Sequence, residues 1–111
     1  MSNPRADVDR TRVFDALADP TRRQIVEELA RVQEASITDI ARLFPISRQA
    51  VTRHLGVLEA AGVIAVETRG RERIVSLRPH TLQSATIWLD DVGRQWDDRL
   101  AALQRHLTES S

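Results

Sequence analysis

The sequence predicts a mainly α-helical chain with one small β-hairpin before its last helix. Apolar residues recur at the three- and four-residue spacing of amphipathic helices in residues 13–58 and again in residues 82–107. In residues 63–77 they follow the shorter period of strands, and Gly70 interrupts that run. The chain has 111 residues and no internal repeat, and 41% of them are apolar and 29% charged. This composition predicts a single globular domain over residues 1–111.

Two helices are expected in the first third of the chain. Val13, Phe14 and Leu17 repeat at helical spacing and define the first of them. Asp19 followed by Pro20 indicates an N-cap and a first-turn proline, so the second helix should begin at Pro20. The expected buried stripe of this second helix comprises Ile25, Leu29 and Val32.

Two further helices are joined by a tight turn. Ser36 and Asp39 form the pattern Ser-x-x-Asp that caps a short helix, and Pro45 stops it because the residue before a proline is pushed out of helical conformation. Ser47 caps the next helix, which runs to Gly62, a residue suited to the left-handed conformation that ends helices. This arrangement is a helix-turn-helix. The inward-facing residues expected in its first helix are Ile37, Ile40 and Leu43.

A hairpin and a long helix complete the chain. The segments VIAVETR and RERIVSL alternate as strands on either side of Gly70. Pro79 ends the second strand, and Thr81 is expected to cap a final helix over residues 81–107. A hairpin that follows a helix-turn-helix serves as its wing, so the predicted fold is a winged helix-turn-helix. Its core should lie in residues 10–80.

The helix that begins after Ser47 has one apolar and one polar face. At 100° per residue, Val51, Leu55 and Leu58 fall together toward the core. Gly56 lies on the opposite face, where glycine lowers the stability of the helix by about 1 kcal/mol relative to alanine. A closely approaching DNA backbone would explain why a glycine stands there. Side chains that suit base edges and phosphates share that face, and the wing adds three arginines. The predicted contacts to double-stranded DNA are Ser47, Arg48, Gln49, Thr52, Arg53, Arg69, Arg71 and Arg73.

The distribution of charge favours a nucleic-acid partner in the middle of the chain only. All 16 basic residues are arginine and 16 residues are acidic, so the net charge is zero, which by itself argues against DNA binding. Residues 47–73, however, carry five Arg against three Glu, whereas the segments before and after them carry more acids than arginines. The positive excess therefore falls on the second helix of the helix-turn-helix and on the wing.

Three segments resemble the ArsR-like (arsenic-resistance-repressor) family of regulators in order and spacing: ALADPTRRQIVEEL, SITDIARLFPISRQAVTRHLGVLEAAGVI and ETRGRERIVSLRP. The resemblance implies a recognition helix at 47–58 that enters the major groove and a wing at 69–73. It also implies a homodimeric repressor that binds an inverted-repeat operator and represses its own gene. The segment WLDDVGRQWDDRLAALQRHL further resembles the SdpR-like, metal-independent branch.

The final helix is expected to make the homodimer, so that the fold is dimeric through its terminal helices. Its apolar seam is longer than so small a domain can cover, and a large exposed seam needs a partner. Two-fold pairing lets the same helix of a second copy supply that partner, with help from the first helix. The ends, residues 1–9 and 108–111, are expected to be flexible tails. The predicted interface comprises Phe14, Leu17, Leu89, Val92, Trp96, Leu100 and Leu103.

The residue types give little support to a metal sensor or an enzyme. The chain has no cysteine, so it has no thiolate ligand or thiol nucleophile. The family's thiolate site would lie where Thr38 and Asp39 stand, and its alternative acidic site on the last helix has only His106 nearby. The aspartates of that helix are interpreted as ion pairs with Arg94 and Arg99. No nucleophile elbow or phosphate-binding loop occurs, so we expect no enzymatic activity, no metal and no cofactor.

Several properties remain open at the level of sequence. No stretch approaches the ~18 apolar residues of a membrane span, so we expect a cytoplasmic protein without membrane contact. His54 and His80 are interpreted as structural. Two alternative functions are a winged-helix module that binds protein rather than DNA, which zero net charge favours, and a metal-responsive repressor. The operator, the regulated genes and any small-molecule effector are not identified by the sequence.

Overall fold

The computed structural model describes residues 4–109, and its side chains from Arg10 onward. This part of the chain divides into two compact units, with the boundary after Thr81. The described elements, in chain order, are α1 (Pro4–Leu17), α2 (Pro20–Val32), β1 (Glu34–Ser36), α3 (Ile37–Leu43), α4 (Arg48–Ala60), β2 (Ile64–Arg69), β3 (Glu72–Leu77) and α5 (Pro79–Glu109).

The helices extend further toward both ends of the chain than the sequence predicts. Helix α1 begins at Pro4 and α5 ends at Glu109, within the segments 1–9 and 108–111 that we expected to be flexible tails. The apolar spacing that marks a packed helix does not reach these turns, so the sequence pattern does not reveal them. The first three residues and the last two lie outside the described residues.

The junction of α1 and α2 is closed by the predicted N-cap. Asp19 has extended backbone angles, φ −79° and ψ 130°, and its Oδ2 accepts a hydrogen bond from the backbone N–H of Arg22 at 3.0 Å. Pro20 is the first residue of α2, where its missing N–H costs no helical hydrogen bond. Ile25 and Leu29 are buried as expected, whereas Val32, the last residue of the helix, is exposed.

The helix-turn-helix has the predicted boundaries. Ser36 caps α3 and Ser47 caps α4, each by accepting a hydrogen bond from the backbone N–H three residues further on. Gly62 follows α4 with a φ of 77°, the left-handed conformation expected of a glycine at a helix end. Ile40 is buried, but Leu43 at the end of α3 is 56% exposed, so the prediction that Leu43 faces the core is wrong.

The wing belongs to a three-stranded antiparallel sheet and not to a hairpin alone. Strands β2 and β3 pair along all six residues of each, and Gly70, with φ 60°, lies in the turn between them. Strand β1 pairs with the other edge of β3, with Glu34 opposite Ser76, which gives the order β1-β3-β2. Sequence analysis missed β1 because three residues are too few to show a strand period.

The core of the first unit is apolar and draws on four helices and the sheet. Because the helical stripes predicted from spacing face one another here, they leave water together and stabilise the packing. The largest side chains that are almost completely buried are Ile25, Leu29, Ile40, Val51, Leu58, Val63, Ile64 and Val75.

Helix α5 is longer than predicted. It begins at Pro79 and not at Thr81, because a proline fits the first position of a helix. It then runs without interruption for 31 residues. Ala85 is its one buried residue among those described. None of the described helices combines the length and the apolar character that crossing a membrane requires.

Candidate nucleic-acid interface

Helix α4 presents polar side chains to solvent on the face opposite the core. Val51, Leu55 and Leu58 are buried, which confirms the apolar face predicted from their spacing. The α4 surface, as we call the other face with its N-cap, consists of exposed residues that sequence analysis assigned to DNA contact. These residues are Ser47, Arg48, Gln49, Thr52 and Arg53.

The side chains of the α4 surface offer both donors and acceptors. Within residues 10–109, neither Arg48 nor Arg53 forms an ion pair with a carboxylate. The Thr52 hydroxyl donates to the Arg48 carbonyl at 3.0 Å, so its oxygen is left to accept. Arg48, Gln49 and Thr52 line an open depression of about 510 Å³. Cationic forks, an amide and a hydroxyl acceptor on one surface match the chemistry of base edges and phosphates.

The three arginines of the wing are not equivalent. Arg71 and Arg73 are exposed, and in the described part of the chain neither is paired with an acid. The Arg69 guanidinium is instead bound to the carboxylates of Glu34 and Glu67. Three N–H groups of Arg69 are therefore bound within the protein, while its contact with DNA, like those of Arg71 and Arg73, stays a prediction.

A cluster of polar groups joins α4 to the junction of α1 and α2. Arg22 Nε and Nη2 donate to the carbonyls of Ala16 and Asp15 at 2.5 and 3.2 Å, so this side chain closes the end of α1. Its Nη1 lies 3.4 Å from His54 Nδ1, and Asp19 Oδ2 lies 3.9 Å from the same nitrogen. The cluster therefore positions α4, which carries the α4 surface, against the first two helices.

Sequence analysis did not single out Arg22. The side chain is only partly exposed, and its contacts explain why a cation stands in the first turn of α2. A cation there faces the positive end of the helix dipole, and this is the signal that could have indicated a specific partner. His54, which the sequence interprets as structural, is partly buried in this cluster.

The same junction has a pH-dependent component. The hydrogen bond from the Arg22 backbone, with the nearby charges of His54 and Arg22, holds the pKa of Asp19 below its usual value. A carboxyl with a lowered pKa stabilises the fold while it is ionised. Its contribution is therefore complete above the ordinary pKa of an aspartate and is lost as the pH falls through the lowered one.

One of the acidic residues of α5 forms an ion pair within the helix. Asp91 pairs with Arg94, as predicted. The Arg99 guanidinium differs from the prediction, since it lies over the ring of Trp96, 5.9 Å from the centroid. Among the residues whose side chains are described, no three His, Cys, Asp or Glu groups lie together so as to hold a metal ion.

The residues predicted to form a dimer fall into two groups by exposure. Phe14, Leu17 and Val92 are partly buried within the chain. The other four lie on one face of α5 and are 51–57% exposed. These four are Leu89, Trp96, Leu100 and Leu103. In a single chain, α5 thus exposes a row of large apolar side chains to water.

Comparison with known proteins identifies relatives of this chain. A family model described as a helix-turn-helix domain matches residues 17–67. An HTH-type transcriptional regulator of Mycobacterium tuberculosis is 42% identical over 79 residues, which are 71% of this chain and 73% of the relative. The transcriptional repressor SdpR of Bacillus subtilis is 36% identical over 77 residues, or 69% of this chain and 84% of SdpR.

A solved structure shows the same fold. The ArsR-like transcriptional regulator from Rhodococcus sp. RHA1 superposes with a TM-score of 0.78 and is 36% identical in sequence. The match covers 88% of this chain and 92% of that protein.

Proposed function

Because the chain belongs to the ArsR-like family of winged helix-turn-helix transcriptional regulators, we propose that it is a homodimeric repressor that binds double-stranded DNA. Helix α4 enters the major groove and the wing contacts the adjacent backbone. The dimer binds an inverted repeat that overlaps a promoter and blocks polymerase. Since its ligand is DNA, we place the protein in the cytoplasm.

The observation that carries this proposal is the set of arginines without an acidic partner. Between residues 47 and 73, Arg48, Arg53, Arg71 and Arg73 form no ion pair among the described residues. Exposed cations without counterions in the protein are available to phosphates, and binding to phosphates dominates affinity for DNA. The zero net charge of the chain then reflects acids on other surfaces, such as Asp91 of α5.

The dimer follows from the apolar row of α5. Side chains such as Trp96 and Leu100, each more than half exposed, lose contact with water if the same helix of a second copy packs on them. A two-fold dimer holds two α4 surfaces about one DNA turn, or ~34 Å, apart, so that two modest half-site affinities act together.

A gel-shift titration on the DNA upstream of the protein's own gene tests the proposal. We expect one retarded complex that survives excess unrelated DNA. Equal competition by unrelated DNA would contradict sequence-specific binding, and absence of any complex would favour the alternative that the winged helix binds another protein.

Substitution of Gly56 tests how closely DNA approaches α4. A Cβ at Gly56 meets no protein atom within 4 Å, so Gly56→Ala should stabilise the free protein by about 0.5–1 kcal/mol. If DNA lies against this face, the added methyl group overpacks the complex, and overpacking costs about 1–3 kcal/mol. We expect binding to fall roughly five- to a hundredfold while the melting temperature rises.

Ala30→Gly is the reverse control for stability, since Ala30 is exposed on α2, a helix that the proposal does not place in the groove. It should lower the stability of the free protein by about 0.5–1 kcal/mol and leave DNA binding unchanged. A Gly56→Ala protein that is stabilised but binds DNA as tightly as the parent would show that DNA does not approach this part of α4.

Indifference to zinc distinguishes this proposal from a metal-responsive repressor. Neither a chelator nor low-micromolar zinc should change DNA affinity by more than about threefold, because the chain has no cysteine and its described side chains form no ligand cluster. Fluorescence anisotropy of a labelled operator measures the effect. A tenfold release of DNA by zinc would make the metal-responsive alternative the better one.

A further inference from the structure

Arg69 lies on the wing, and its guanidinium binds a carboxylate from each of the two edge strands of the sheet. Its Nη1 and Nη2 donate to Oε1 and Oε2 of Glu34 at 2.8 and 3.1 Å, a bidentate pair. Its Nε donates to Glu67 Oε1 at 2.9 Å. The two acids come from different strands, since Glu34 lies on β1 and Glu67 on β2.

The bridge from Arg69 to Glu34 spans the central strand. The sheet order is β1-β3-β2, so β1 and β2 share no backbone hydrogen bonds and each pairs only with β3. Strand β1 directly precedes α3, the first helix of the helix-turn-helix. The side-chain bridge therefore ties the outer strand of the wing to the segment that leads into the helix-turn-helix.

The electrostatics of the bridge make Arg69 a poor phosphate ligand. Hydrogen bonds from Arg69 hold the pKa of Glu34 below its usual value, and those to Glu34 and Glu67 raise the pKa of Arg69. The two acids and Arg69 together carry a formal charge of −1. Three of the five N–H groups of Arg69 are already bound to carboxylates, whereas Arg71 has no acidic partner in the described part of the chain.

We propose that Arg69 is a positioning residue, which fixes the wing on β1 through Glu34 so that Arg71 and Arg73 meet the DNA. This inference rests on the proposed function. It assigns opposite roles to neighbouring arginines of one hairpin: Arg69 acts within the protein and Arg71 acts on DNA.

The sign of the effect of Glu34→Gln tests the assignment. Loss of an acid near DNA ordinarily strengthens binding, but loss of the bridge should weaken it by about two- to fivefold, the range of an exposed pair. Glu72→Gln is the matched control, since it removes the same charge from the same sheet, and Arg69 bonds to other acids. We expect Glu72→Gln not to weaken binding. Fluorescence anisotropy measures the affinity of each variant for the operator that the parent protein binds. Circular dichroism checks that each variant is folded.

A double-mutant cycle separates positioning from direct contact. Arg69→Gln and Glu34→Gln should each weaken binding, and the double variant should be no weaker than either single one. Arg71→Ala should cost less affinity in the Glu34→Gln protein than in the parent, because a released wing no longer presents Arg71 correctly. A general loss of stability would not change the contribution of Arg71 in this way.

Three results would overturn the inference. If the Glu34→Gln protein binds DNA as tightly as the parent or more tightly, which is the result expected of Glu72→Gln, the bridge does not hold the wing in place. A salt slope reduced by about 0.9 in Arg69→Gln would show that Arg69 itself contacts a phosphate. If the parent protein binds no DNA in the same titration, that result contradicts the proposed function, and with it this inference.

Discussion

The double variant Trp96→Glu/Leu100→Glu is expected to be a monomer and to lose about a hundredfold or more of the parent's affinity for DNA. Both side chains are more than half exposed on one face of α5, so the change should not disturb the core of the first unit. In the proposed dimer, two carboxylates would enter an apolar interface without partners. Without a dimer each half-site binds alone, and coupling of two sites is worth about 10²–10⁴ in affinity.

A second double variant on the same helix is the matched control. Ile87 and Ala102 are exposed and lie outside the apolar row of α5 at 100° per residue. Ile87→Glu/Ala102→Glu should therefore sediment as two chains and bind DNA like the parent. If the Trp96→Glu/Leu100→Glu protein stays folded, sediments as a dimer and binds its operator as tightly as the parent, the dimer lies elsewhere.

Single substitutions on the α4 surface are expected to have the next largest effect. Gln49→Ala and Arg53→Ala should each weaken operator binding by about 1–3 kcal/mol and relax the preference for particular bases. Both side chains are exposed, so the free energy of unfolding should be almost unchanged. Competition between operator and altered operators measures the specificity, and thermal melting measures stability.

Exposed residues of the same types on α2 are the controls. Gln24→Ala and Arg31→Ala remove an amide and a guanidinium from a helix that the proposal does not place in the groove. They should leave specific binding within about twofold of the parent, as expected of surface changes away from an interface. Parent-like binding by both Gln49→Ala and Arg53→Ala would assign base recognition to another surface.

Local signals predicted most of the fold. The caps at Asp19, Ser36 and Ser47 act through backbone groups three residues away, so a short sequence pattern contains both partners. The faces of α4 follow in the same way from the 3.6-residue period. These parts of the fold needed no knowledge of distant contacts.

The features that the sequence did not reveal depend on distant partners. Strand β1 is three residues long and exists because β3 provides a second edge. Arg69 and Glu34 are 35 residues apart in sequence, and Arg22 and His54 are 32 apart. Because such pairs form only when the fold brings two elements together, each of these four residues resembles an ordinary exposed charge or edge histidine in the sequence.

The measurement that tests the central claim most directly is selection of duplexes by the full chain from a random-sequence DNA library near physiological salt. A homodimer that reads bases through α4 should enrich an inverted repeat whose half-sites are centred about one helical turn, roughly 10–11 base pairs, apart. Arg53→Ala should degrade the motif equally in both half-sites, because the two chains are identical. A library that remains unenriched after successive rounds, or that yields a single unrepeated site, would contradict the account.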